Sequence, residues 1–280
     1  MARIAAVQTN SSQDIGDNLA RIAKILEQCH DEGCVLAALP ECFGFMQRHR
    51  QQLLEKAEPF GQGQIQDWLA RQSSRLGLYL IAGSVPLVSP DSVRVTNSLL
   101  AYDDRGSCIA RYDKIFLFDV SLSDRDTYRE SDYTLAGDRV AVVDTPAGRV
   151  GLSVCYDLRF PELYRALVDR GALILTVPSA FAKSTGRVHW TPLLKARAIE
   201  NTCYMVAPAQ FGTHNRRRTT WGHSMILDPW GKVVDRLDSG WGYVSAEIEP
   251  GKQSALRARL PCLDHRRCDL FPVDRARDGL

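Results

Sequence analysis

Long apolar runs are missing from this 280-residue chain. None approaches the ~18 residues that a membrane-spanning helix needs, so no membrane partner is expected. Charge of one sign is missing too. The formal balance is +2, which provides no field for nucleic acid or an anionic lipid surface. No stretch rich in Pro, Gly or Ser divides the chain, and no repeat of solenoid period or low-complexity tract occurs. Paired cysteines are also lacking. The eight, at 29, 34, 42, 108, 155, 203, 262 and 268, form no C-x-x-C pair, so neither a thiolate zinc site nor a disulfide scaffold is expected. The six histidines lack ligand spacing such as H-E-x-x-H, and Gly231-Lys232 and Gly251-Lys252 lack the Ser or Thr of a phosphate loop. Gly61-Gln62-Gly63 is followed by Gln66 where a dinucleotide loop needs glycine. The expectation is no metal and no cofactor. The opening Met1–Gln8 turns polar too soon for a secretory leader, which gives a cytoplasmic expectation.

What is present is a chain 45% hydrophobic and 24% charged, enough for a sizeable core and read as one domain over 1–280. Apolar strand patterns occupy 3–8, 35–39, 79–85, 97–102, 108–112, 139–144, 150–154, 173–177, 203–207, 224–227, 232–237 and 242–247. Helical spacing occupies 18–27, 64–76 and 161–170, the last with Pro161 in its first turn and Gly171 past its end. Thr191 is expected to cap a fourth helix from Pro192 to about residue 201. Strands alternate with helices, yet several are joined by tight turns such as 103–106 and 228–231. That predicts an α/β fold with mixed sheets and helices outside. Residues 119–138 form the longest stretch without a clear element, a candidate lid.

Three apolar runs end on chemically useful groups. Val150-Gly-Leu-Ser-Val-Cys155 ends on a thiol, Val35-Leu-Ala-Ala-Leu-Pro-Glu41 on a carboxylate and Cys108-Ile-Ala-Arg-Tyr-Asp-Lys114 on an ammonium. A cysteine between a strand and a helix N-terminus is expected to have a lowered thiol pKa. Cys155 would attack a carbonyl carbon, with Glu41 as general base. Lys114 and the backbone N–H of Tyr156 would hold the oxyanion. Singly, each has an ordinary reading as a buried thiol, a loop carboxylate or a surface lysine; together they suggest thiol-based acyl transfer.

Leu39-Pro40-Glu41, Tyr112-Asp113-Lys114 and Cys155-Tyr-Asp-Leu-Arg-Phe-Pro-Glu162 resemble, in order and spacing, the three signature blocks of the nitrilase (carbon–nitrogen hydrolase) superfamily. Gly83-Ser-Val-Pro86, Arg129-Glu-Ser131, Val177-Pro-Ser-Ala-Phe181, His189-Trp190, Ala196-Arg-Ala-Ile-Glu200, Gly222-His-Ser224, Asp228-Pro-Trp-Gly231 and His265-Arg-Arg267 extend the likeness along nearly the whole chain. The resemblance implies a Glu41–Lys114–Cys155 triad, a second active-site carboxylate at Glu130, and a four-layer α-β-β-α sandwich that pairs as a homodimer or higher homo-oligomer. Pro178-Ser-Ala-Phe181, Ala209-Gln210 and Gly222-His-Ser-Met225 point to the Nit branch. That implies a small-molecule amide substrate, deaminated glutathione, cleaved to 2-oxoglutarate and cysteinylglycine, with 2-oxoglutaramate as the alternative. Many relatives carry His two residues after the lysine, where this chain has Phe116. Arg159 is a candidate to hold a substrate carboxylate, its other reading being a structural salt bridge. Ser179 and Phe181 could line the pocket or pack the core. Arg216-Arg217-Arg218 reads as solvated loop charge.

Overall fold

The alternation of side chains along the first strands builds the layers. In Ala2–Thr9, Ile4 and Ala6 belong to one core while Ala5 and Val7 belong to another; in Cys34–Leu39, Leu36 and Ala38 part from Ala37 and Leu39 in the same way. Strands buried on both faces need covering on both, and they read as continuous apolar runs for that reason. The computed structural model describes residues 1–91, 93–123, 126–215 and 218–270.

One face of this first sheet is covered by the helices Ile15–Asp31 and Gln64–Leu76, whose Leu19, Ile22, Leu26, Ile65 and Leu69 join the second core. The other face meets a second sheet, and their shared core contains Ile81, Leu99, Val150, Ile174 and Met205. The helices Pro161–Asp169 and Lys183–Asn201 cover the far side of that sheet through Leu163, Leu167, Trp190 and Leu194. The result is the expected four-layer α-β-β-α sandwich. Both sheets are mixed. Ala2–Thr9, Cys34–Leu39 and Tyr79–Val88 run parallel, with Val95–Tyr102 and Cys108–Asp113 added antiparallel. Gly148–Gly151, Ile174–Thr176 and Tyr204–Ala207 run parallel at the centre of the second sheet, between antiparallel edges.

Several elements depart from expectation. The fourth helix begins at Lys183 rather than at Pro192, which lies inside it, so Thr191 is no cap. Residues 119–138 are not a bare loop: they contain the paired strands Asp119–Ser123 and Asp126–Arg129, then a short turn of helix at Glu130–Asp132. Gln51–Glu55, Ala209–Asn215, Arg218–Trp221 and Pro250–Arg259 are elements that periodicity did not reveal. Among the described residues, no helix is long and apolar enough to cross a membrane.

Candidate active site

Strand ends converge on one cavity, of about 820 Å³ counted to its open mouth. Glu41, Lys114, Glu130, Cys155, Tyr156 and Phe181 all line it. Glu41 follows Cys34–Leu39, and its approach depends on Gly83. A Cβ at Gly83 would lie 2.0 Å from the Pro40 carbonyl oxygen, so the neighbouring strand can pass only as glycine. Lys114 follows Cys108–Asp113, its backbone fixed by Lys114 N–H to Asn97 O (3.0 Å) and Gly137 N–H to Lys114 O (2.9 Å).

Cys155 sits at a sharp corner with φ +48°, a left-handed conformation uncommon for a side chain with a Cβ. Its N–H donates to Pro178 O at 2.9 Å, while the N–H of Tyr156 meets no acceptor among the described residues. The corner is braced by buried Asp157, which accepts from Val154 N–H (2.8 Å), Tyr112 O–H (2.7 Å) and Phe116 N–H (3.0 Å). Asp157 thus ties the turn of Cys155 to the segment that carries Lys114. Burial pushes its carboxyl up to about 6 against those three donors.

The charges form a closed set. Buried Lys114 Nζ donates to Glu41 Oε1 (3.1 Å) and to both oxygens of Glu130 (3.1 and 2.9 Å). Asn97 Nδ2 donates to Glu41 (3.1 Å) and Glu130 (3.3 Å), Ala180 N–H to Glu41 (2.9 Å), and Phe118 N–H to Glu130 (2.7 Å). Burial alone would push Glu41 up, but Lys114 and then Arg218 outweigh it and hold the carboxyl below its ordinary range. Burial would likewise push Lys114 down, yet Glu130 and Glu41 lift it well above its ordinary value. Both therefore stay charged at neutral pH.

Here the structure corrects an expectation. The thiol of Cys155 is not lowered. Burial first, and the Glu41 charge second, push it well above its ordinary value, against the opposing pull of Lys114. Five residues, Cys155–Arg159, form a tight turn before the α-helix opens at Pro161, so the helix N-terminus does not lie at the sulfur. Cys155 and Glu41 line the same cavity, so a neutral thiol faces an ionised carboxylate there, the pairing that base-assisted thiol chemistry needs.

Other expected residues fall outside the cavity. Ser179 is wholly buried, its hydroxyl donating to Val177 O (2.8 Å) and its N–H to Pro208 O (2.9 Å), which makes it backbone support. Arg159 does not line the cavity: it lies over the rings of Tyr156 and Phe181, 5.7 and 5.2 Å from their centroids, with His189 Nδ1 3.3 Å from its guanidinium. Phe116 stacks on Phe160 at 3.7 Å, filling its place with an apolar pair. Asn97, Cys42 and Arg218 also line the cavity, although the sequence alone suggested no site role for any of them. Asn97 carries the one readable signal, an amide in an otherwise apolar strand. Arg218 is not solvated loop charge, since it faces the cavity; Arg216 and Arg217 lie outside the described residues.

Comparison with known proteins identifies the family. The sequence profile of the carbon-nitrogen hydrolase family matches residues 3–258. A protein of Yersinia enterocolitica called deaminated glutathione amidase is 40% identical, over 99% of this chain and 97% of its own length. Among solved structures, the C. elegans NitFhit protein superposes with TM-score 0.89 and 37% identity, covering 96% of this chain and 67% of that one. Saccharomyces cerevisiae Nit3, a member of branch 10 of the nitrilase superfamily, superposes with TM-score 0.83 at 28% identity, over 93% and 94% of the two chains.

Proposed function

The chain belongs to the carbon–nitrogen hydrolase family, and from that premise we propose that it is a thiol-dependent amidase of deaminated glutathione, releasing 2-oxoglutarate and cysteinylglycine. The observation that carries the chemistry is a neutral Cys155 thiol sharing one cavity with an ionised Glu41 that is itself bonded to Lys114. The substrate rests on relatives of about 40% identity over most of their length.

In this reading, a Glu41 oxygen takes the thiol proton as the sulfur attacks the amide carbon. Negative charge moves from Glu41 to the former carbonyl oxygen. At rest all three protons of Lys114 face carboxylate oxygens. Protonating Glu41 weakens its hold on the ammonium, which frees one donor to join the Tyr156 N–H at the oxyanion. Proton transfer and oxyanion stabilisation are thereby coupled through one pair. Glu130, bound through both oxygens, keeps Lys114 in place. Collapse of the intermediate breaks the C–N bond, Glu41 returns its proton to the departing amine, and a thioester remains. Glu41 then deprotonates a water that attacks the thioester, and the thiol is restored with 2-oxoglutarate released. No metal or organic cofactor enters these steps. The protein acts in the cytoplasm as a homodimer or higher homo-oligomer on this reading, in keeping with its family.

The test is 2-oxoglutarate release from deaminated glutathione and from 2-oxoglutaramate, measured side by side with Cys155→Ala as control. A strong preference for the former, lost in the variant, is expected. Preference for 2-oxoglutaramate would overturn the substrate while keeping the mechanism. Full activity in the variant would overturn the mechanism.

A further inference from the structure

The cavity has two cations with described side chains, and only one of them is matched. Lys114 is held by two carboxylates. Arg218 lines the same cavity half-buried, and its guanidinium makes no hydrogen bond or ion pair with any described residue. Its backbone, by contrast, is firmly placed. Arg218 N–H donates to Asn215 Oδ1 (3.0 Å), the next residues pair with Ala209–Asn215, and Trp221 N–H donates to Phe181 O (2.9 Å).

Burial would lower the guanidinium, yet Cys42, Glu41, Tyr133 and Cys155 all act to raise it, so the charge persists and its field reaches the sulfur. The other titratable groups of this wall do not answer it. Cys42 and Tyr133 are pushed up to about 12, chiefly by burial, and are neutral. His214 on the same hairpin is pushed down to about 4 by burial, and its ring nitrogens lie 3.0 Å from Ser11 O and 2.7 Å from Thr220 Oγ1. A partly desolvated guanidinium with no partner is costly to maintain. Its planar fork suits a carboxylate.

We propose that Arg218 is the specificity residue of this site: it binds a carboxylate of the substrate across the cavity from Cys155. This deepens, and rests on, the amidase reading. It takes over the part expected of Arg159, which lies outside the cavity among rings. The substrate proposed above carries carboxylates on its acyl side and on its amine side, and the same fork could hold either.

The experiment follows protection of Cys155 from iodoacetamide, with thermal unfolding as a readout that does not depend on thiol reactivity. The acyl-side probe is 5-hydroxypentanoate against neutral pentane-1,5-diol; the amine-side probe is serylglycine against its C-terminal amide. In wild type, one carboxylate probe is expected to protect and to raise Tm at a concentration at least tenfold below its neutral partner. Arg218→Gln should lose that advantage at least tenfold, with protection scored against each protein's own unprotected alkylation rate, and Arg218→Lys should restore part of it. Which probe responds identifies the side. Equal responses in wild type and Arg218→Gln, or no carboxylate advantage in wild type by either readout, would overturn the proposal. If Arg218→Gln is neutral while Cys155→Ala abolishes turnover, the Arg218 role alone falls. If Cys155→Ala keeps turnover, the amidase reading falls, and the Tm arm still reads Arg218.

Discussion

The two walls of the cavity differ in how their charges are balanced. On the wall built from strand ends, Glu41, Glu130 and Lys114 satisfy one another, with Asn97 and two backbone N–H groups completing the set. On the hairpin wall, the Arg218 guanidinium makes no hydrogen bond or ion pair with any described residue. A closed set of charges is preorganised, so that only one Lys114 donor need turn when charge develops, as the proposed catalysis requires. An open charge favours whatever brings the missing partner, as selection of a substrate requires. On the proposed reading, one wall performs the chemistry and the other chooses what reaches it.

Substitutions can break this division. Cys155→Ala is expected to lower kcat by ~10⁴-fold or more, since it removes the atom that forms the thioester. Glu41→Gln should cost about 10³-fold, within the range of a lost base that also steers the oxyanion donor. Because the resting Cys155 thiol is neutral, wild type and Cys155→Ala should show the same ultraviolet thiolate absorbance at pH 7. A thiolate band present in wild type and absent from Cys155→Ala would contradict the coupled pair.

The brace beneath the catalytic wall is tested by pH. Asp157 titrates at about 6 when folded and near ~3.9 in an unfolded chain. A carboxyl raised on folding contributes stability that is complete below the unfolded value and lost as pH rises through the folded one. Between about pH 4 and pH 7, wild type should therefore lose roughly 2 kcal/mol relative to Asp157→Asn. Urea unfolding of both proteins across that window checks it, and a constant difference would refute it.

On the selecting wall, Arg218→Gln should lower kcat/KM by ~10–100-fold, mostly through KM, because the interaction is present in both ground and transition states. Arg159→Gln is expected to change kcat/KM by less than about threefold, in line with its stacked, peripheral place. Reversal of these two effects would return carboxylate binding to Arg159.

The same comparison explains what was legible beforehand. Glu41, Lys114 and Cys155 each end an apolar run, and strand ends meet at one edge of a sandwich, so local pattern was enough to bring them together. Gln64–Leu76 was read to the residue for the same reason, with its apolar stripe ending at left-handed Gly77. Arg218 lies on a four-residue strand beside two more arginines. Only the pairing of that strand with Ala209–Asn215, and the bond from Trp221 to Phe181, turn it inward. Ser179 and Arg159 show the opposite case: both sit in recognisable motifs with two open readings, and their side chains lie on the backbone and on the aromatic rim rather than in the cavity. The thiol's pKa failed because a helix N-terminus was counted and burial beside Glu41 was not.

The central claim is that acyl transfer passes through the Cys155 sulfur with Glu41 as its base. Rapid-quench mass spectrometry of the enzyme turning over deaminated glutathione tests it most directly. The account predicts a 2-oxoglutaryl adduct on the Cys155 peptide and a burst of cysteinylglycine before steady 2-oxoglutarate release, both diminished in Glu41→Gln. Steady turnover with no adduct and no burst, undiminished in Cys155→Ala, would contradict it.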